Sequence, residues 1–284
     1  MTETFNTAAY IAQTLKTPRA QKFLTVANYK TKKGEAKGYK TPRAQKILTV
    51  ANYKTKKGEA KGYKTFGIHF APGSLSGFNV CTDASEGCLK SCLNGAGMGA
   101  FSTVQDARIT KTQSFHKNVA RFMASLVSEI RAAVKSAIKS GMIPCVRLNL
   151  TSDIYFERIK LANGNTIFQE FPEIQFYDYT KHYKRMFLNI PNYHLTFSRS
   201  ENVVNQLQAS HLIKLGKNVA AVFSTKKGNA LPESYFSSHS SHKGTLVIDG
   251  DENDLRFLDP KGAIVGLRAK GPAKKDKSGF VIHV

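Results

Sequence analysis

The sequence has no apolar run long enough to cross a bilayer, which excludes a membrane-spanning helix. It has only 4 cysteines in 284 residues, too few for a disulfide scaffold. Residues 1–15 mix Thr, Asn, Gln and Ala, without the basic start and apolar middle of a signal peptide, so a cytoplasmic location is expected. There is no G-x-S-x-G elbow and no P-loop, and the 8 histidines show no metal-ligand spacing; His239 and His242, in a serine-rich stretch, carry no assignment. Acidic residues are scarce. Against 42 Lys and Arg stand 20 Asp and Glu, a net charge of +22. That excess points to nucleic acid, DNA or RNA, as the partner rather than a membrane, with a basic solubility coat as the alternative. Hydrophobic residues make up 41% of the chain, enough for a sizeable core.

What is present begins with a repeat. Residues 16–39 and 40–63 are two 24-residue copies that differ only at Phe23 and Ile47. A solenoid needs more units than two, so the pair reads as a tandem duplication. The second copy runs into the following apolar segment and is the one expected to join the core. Three regions follow: a segment 1–15, the basic repeat 16–63, and an α/β core 64–284. Each copy reads as a strand, a polar turn and a return to extended chain, a basic β-hairpin extension. Residues 16–65 hold 15 basic and 2 acidic side chains, a net of +13. Lys30, Lys32, Lys33, Lys54, Lys56 and Lys57 are candidate phosphate contacts, interleaved with tyrosines able to stack on bases. A solvated hairpin with tyrosines packed beneath it is the alternative.

Beyond the repeat, apolar steps of three and four predict helices over 106–112 and 115–139, the latter stopped at Gly141. Strands are predicted at 67–70, 145–150, 174–179, 194–198, 219–224, 245–248 and 263–267. Short helical stretches are predicted at 181–187 and 201–215. About seven buried strands alternating with helices argue for a parallel sheet covered by helices. A complete or partial β/α barrel is favoured over a doubly wound sheet.

Cys81, Cys88 and Cys92 lie within 12 residues, spaced C-x6-C-x3-C, in a polar loop after the first predicted strand. Thiolates in such a cluster suit iron–sulfur or zinc, and the loops after strands form the working face of a β/α barrel. Cys145 starts a strand and stands apart. Asn94, Gly95 and Gly97 follow, where small residues let the backbone approach a ligand. Arg108 and Lys111 share a helical face and are able to meet a carboxylate or phosphate; ordinary surface charge is the alternative.

A cysteine triad after the first strand, ahead of repeated β/α units, resembles the radical S-adenosylmethionine enzymes, whose usual spacing is C-x3-C-x2-C. The segment NVCTDASEGCLKSCLNGAGMGAF, followed by QDARITKTQSF, more closely resembles a phage- and plasmid-borne family known as gene product 88. The first resemblance implies a [4Fe-4S] cluster on Cys81, Cys88 and Cys92, with one iron free for S-adenosylmethionine. The second implies a phage-type protein of the host cytoplasm and no established activity. A non-enzymatic nucleic-acid binder with a structural zinc site is the alternative, so whether the chain is an enzyme stays open.

Polar residues recur where the predicted strands end. Asp153 and Asp178 are candidates for a cofactor ribose or ammonium group, and Ser198 and Arg199 for its carboxylate; each also suits a cap or turn. The acidic stretch 249–254 lacks the ligand pattern of an EF-hand and reads as turn or rim chemistry around Asp251, Asp254, Arg256 and Asp259. Lys274 and Lys275 lie in a basic loop suited to phosphates.

Overall fold

The computed structural model describes residues 46–49, 53–235 and 244–284. The first repeat copy, with Lys30, Lys32 and Lys33, falls outside the described residues, as do His239 and His242.

Short runs of apolar residues become strands, as their pattern dictates. They are β1 (Tyr63–Gly67), β2 (Ile143–Arg147), β3 (Gln175–Thr180), β4 (Tyr193–Ser198), β5 (Val219–Phe223), β6 (Ser234–Tyr235), β7 (Thr245–Asp249), β8 (Ile264–Arg268) and β9 (Val281–Ile282). They form one nine-stranded sheet in the order β1-β2-β3-β4-β5-β8-β7-β6. All pairings are parallel except that of β6 with β7. From β1 to β5 each strand is added on the same side of the one before, so the sheet is singly wound. Among the described residues the two ends do not pair, and the sheet is open. β4 pairs with Val219 and Ala220 of β5, and β9 with Val222 and Phe223. The C-terminal strand therefore takes over the edge of β5 where β4 ends.

The helices are α1 (Tyr53–Lys56), α2 (Glu86–Lys90), α3 (Ser102–Lys117), α4 (Val119–Lys139), α5 (Ile167–Glu170) and α6 (Val203–Lys214). The periodicity of residues 119–138 is realised in α4. It buries Phe122, Met123, Leu126, Ile130, Ala133 and Ala137 against Phe66, Ile68, Val146, Leu148 and Phe176 of the sheet. The predicted second helix begins later than its pattern suggests. Asn118, with φ of −155°, ends α3 and caps α4 through Oδ1, which accepts from the Arg121 amide at 2.9 Å. The opposite face of the sheet is covered by a loop with one 3-10 turn, Arg256–Leu258. In this loop, residues 253–259, Leu255 is packed on Cys145 and Tyr177, and Phe257 is edge-on to Tyr63 and Tyr177. Among the described residues no helix is long and apolar enough to cross a membrane.

Of the hairpin expected of the second repeat copy, residues 40–45 and 50–52 lie outside the described residues, and residues 53–61 differ from it. Residues 53–61 are helical, in α1 and a 3-10 turn, Lys57–Lys61, closed by Gly62 in the left-handed region at φ 80°. Among the described residues one antiparallel bridge, Thr49 to Gly67, joins the two arms. Tertiary contacts override the alternation. Lys57 Nζ donates to the Asp251 carbonyl at 2.7 Å, and a Cβ at Gly58 would meet Leu255 at 3.2 Å.

Candidate metal centre

The cysteine loop leaves the C-terminal end of β1 and crosses the C-terminal ends of its neighbours. At β2, Cys81 Sγ lies 3.9 Å from the Thr151 carbonyl, and the Asp153 amide donates to the Val80 carbonyl at 2.8 Å. At β4, Glu201 accepts from the Gly87 amide and the Ser85 hydroxyl, both at 2.8 Å. Ser85 caps α2 and in turn accepts from the Cys88 amide at 3.2 Å. At β8 and β9, Cys88 packs against Ala269, Ala273, Phe280 and Val281. Cys92 starts the next 3-10 turn, its sulfur 3.5 Å from the Asn94 amide. The loop is tightly seated, since a Cβ at Gly87 would meet Ser278 Oγ at 2.3 Å and one at Gly95 would meet Pro272 Cγ at 2.8 Å.

The three thiols are half-buried and lie within electrostatic reach of one another. Burial, reinforced by Cys92 and Cys88, pushes the Cys81 thiol up to about 11, and burial raises Cys88 and Cys92. All three therefore carry their protons at neutral pH unless a metal displaces them. Two cations oppose the rise: Lys181 beside Cys88 and Arg108 beside Cys92. As they stand, no three His, Cys, Asp or Glu side chains among the described residues form a closed ligand set. Cys145 is elsewhere. It is fully buried on the 253–259 face, its sulfur 3.1 Å from Thr65 Oγ1, and burial pushes its thiol up to about 12.

The other candidates divide. Asp153 stands at the rim beside Cys81, yet its carboxylate is occupied. One oxygen accepts from the Lys181 amide at 2.9 Å and Thr180 Oγ1 at 3.1 Å, and the other pairs with Arg185. Asp178 lies below the rim, fully buried, accepting from the Asn149 amide at 2.9 Å and the Tyr193 hydroxyl at 3.2 Å. Ser198 Oγ and Lys181 Nζ are 2.8 Å apart. Arg199 donates to the Gly279 carbonyl at 2.9 Å and so ties the C-terminal loop to β4. Asn94 is buried and accepts from Arg108, while Gly95 and Gly97 are exposed, Gly97 at φ 53°.

Arg108 and Lys111 are not surface charges. Both are buried, and Lys111 donates to the Ile47 carbonyl at 2.9 Å. Lys56, Lys274 and Lys275 are exposed. Lys54 lies in α1. Lys57 is spent on the Asp251 carbonyl. The acidic stretch is a set of ion pairs: Asp251 with Arg268 and Lys270, Asp254 with Arg147, Asp259 with Arg256. Sequence reasoning did not assign Lys181 and Glu201 to the site. Lys181 had a signal, a cation directly after a strand end, but nothing in the sequence brings Glu201 to Gly87.

No curated protein and no solved structure matches the chain. The profile of one family, described as Gene product 88, matches residues 28–284, from inside the first repeat copy to the C-terminus. The match takes in all three loop cysteines and every described strand, and the chain belongs to the gene product 88 family.

Proposed function

We propose that Cys81, Cys88 and Cys92 hold one metal centre, an iron–sulfur cluster, and that the chain is a radical S-adenosylmethionine-type enzyme acting on nucleic acid. The observation that carries this reading is the convergence of three soft donors on one loop over the C-terminal ends of parallel strands. Metal and cofactor chemistry is found at that end in β/α barrels, and the singly wound order β1 to β5 is compatible with a partial barrel. The donor chemistry fits, since half-buried thiols give up their protons to a metal and suit iron or zinc. Lys181 and Arg108 place positive charge beside Cys88 and Cys92, offsetting the charge that thiolates bring. A bound cluster held by three thiolates supplies one-electron chemistry and an iron open to a small ligand. The chain's own residues seat the loop through Glu201, orient Lys181 through Ser198, and keep Cys145 out of the ligand set.

The experiment is metal and sulfide analysis of protein purified without oxygen. A brown protein with iron and sulfide near a ratio of about four per chain supports the reading. A colourless protein with one zinc supports a second reading, a nucleic-acid-binding protein with a structural zinc site. The net charge of +13 over residues 16–65 favours that second reading.

A further inference from the structure

A cavity of about 330 Å³ lies between the connections that follow β2 and β3. That volume is near the lower end of small-molecule sites, roughly 300–1,000 Å³. Its lining is cationic. Arg158 and Lys184 are exposed, and among the described residues no acid pairs with either. Glu157 is the only carboxylate lining the cavity, and Arg185 occupies it from both sides, Nε to Oε1 at 2.8 Å and Nη2 to Oε2 at 2.9 Å. His182 adds a ring nitrogen, Nδ1, that is buried and has no partner in the structure. Leu188 and Ile190 complete the wall with apolar surface. Both guanidinium groups lie over the Tyr155 ring, Arg158 at 4.7 Å and Arg185 at 4.9 Å from its centre. The Tyr155 hydroxyl donates to Asp83 of the cysteine loop at 2.7 Å.

We propose that this cavity binds the phosphate group of a nucleotide, free or within a polynucleotide. Arg158 and Lys184 contact the phosphate oxygens, and the His182 ring lines the same opening. A guanidinium and an ammonium converging on one opening match a compact anion of two negative charges better than a single carboxylate. The apolar wall at Leu188 and Ile190 offers packing surface for the sugar or base. The inference does not rest on the metal centre.

The test is isothermal titration of the full chain at low salt with inorganic phosphate, adenosine 5′-monophosphate and a short single-stranded oligonucleotide. The variants are Arg158→Gln with Lys184→Gln, and His182→Phe. The two cations are exposed, so the double variant should unfold at the wild-type midpoint, and metal content should be unchanged in all variants. Saturable binding of phosphate or the mononucleotide, weakened at least about tenfold in the double variant, establishes a free-nucleotide site. Saturable binding of the oligonucleotide alone, weakened to the same extent, assigns the cavity to the polynucleotide backbone. The proposal is overturned if none of the three ligands binds, or if the variants bind as tightly as wild type. Oligonucleotide binding that survives both variants overturns this inference while leaving the wider nucleic-acid reading intact.

Discussion

The Cys145 sulfur lies 3.1 Å from Thr65 Oγ1, whose hydroxyl is in turn 3.0 Å from the Tyr177 hydroxyl. These contacts hold Cys145 inside β2 with Tyr177 and Leu255, apart from the loop that carries Cys81, Cys88 and Cys92. Cys145→Ala should cost about 1–3 kcal/mol, from the cavity it leaves and the hydrogen bond Thr65 loses. Urea unfolding measures this. A variant as stable as wild type would show that the site relaxes without loss.

Arg147 and Asp254 meet at 2.7 Å in the interior and pin residues 253–259 to the sheet. Removing Asp254 leaves the buried Arg147 with the more distant Asp178 carboxylate, 3.8 Å from its Nε. Asp254→Ala should therefore destabilise by about 1–3 kcal/mol, the cost of a lost hydrogen bond to a charged group. Equal stability of Asp254→Ala and wild type would mean that the segment is held by its apolar contacts alone.

Stability should fall in mild acid. Burial, with Arg108, Lys111 and Arg147 nearby, pushes the His69 imidazole down to about 3; burial, with Arg256 and Lys217, pushes His194 down to about 4. Below about 6.5 the unfolded chain binds protons that the folded one refuses, so the stabilisation is complete above that pH and lost as pH falls toward 4. Each histidine contributes a slope of up to about 1.4 kcal/mol per pH unit in that window. His69→Gln and His194→Gln should each flatten the curve of unfolding free energy against pH. Unchanged curves in both would contradict the assignment.

Much of this arrangement is legible in the sequence, and the exceptions share a cause. The runs around Val146, Phe176, Phe197 and Val265 announce strands because burial on both faces demands continuous apolar residues. The steps from Phe122 to Ala137 announce α4. Local signals fail where distant residues decide. Residues 53–61 look like the end of a strand and a polar turn until Asp251 and Leu255 claim Lys57 and Gly58. Asp178 looks like a rim residue until burial encloses it with the Asn149 amide and the Tyr193 hydroxyl. The cysteine loop is visible as a cluster, but the roles of Lys181 and Glu201 depend on sheet order, which no local pattern encodes.

Nucleic-acid affinity should be steeply salt-dependent. With a net charge of +13 over residues 16–65, phosphate contacts should give a slope of log affinity on log salt of about −0.7 to −0.9 per phosphate neutralised. Deleting residues 16–39 removes one full set of the repeated lysines. The slope should become shallower, and preference among sequences should stay the same, because such contacts position rather than specify. Anisotropy titrations with DNA and RNA at several salt concentrations decide it. Absence of binding to every form at low salt would remove the nucleic-acid reading.

The central claim is that Cys81, Cys88 and Cys92 act together on one metal centre, and metal content per chain across four alanine variants tests it most directly. All four proteins are purified without oxygen beside wild type. Cys81→Ala, Cys88→Ala and Cys92→Ala should each lose the metal, and Cys145→Ala should keep it. Full metal occupancy in the three loop-cysteine variants would contradict the account.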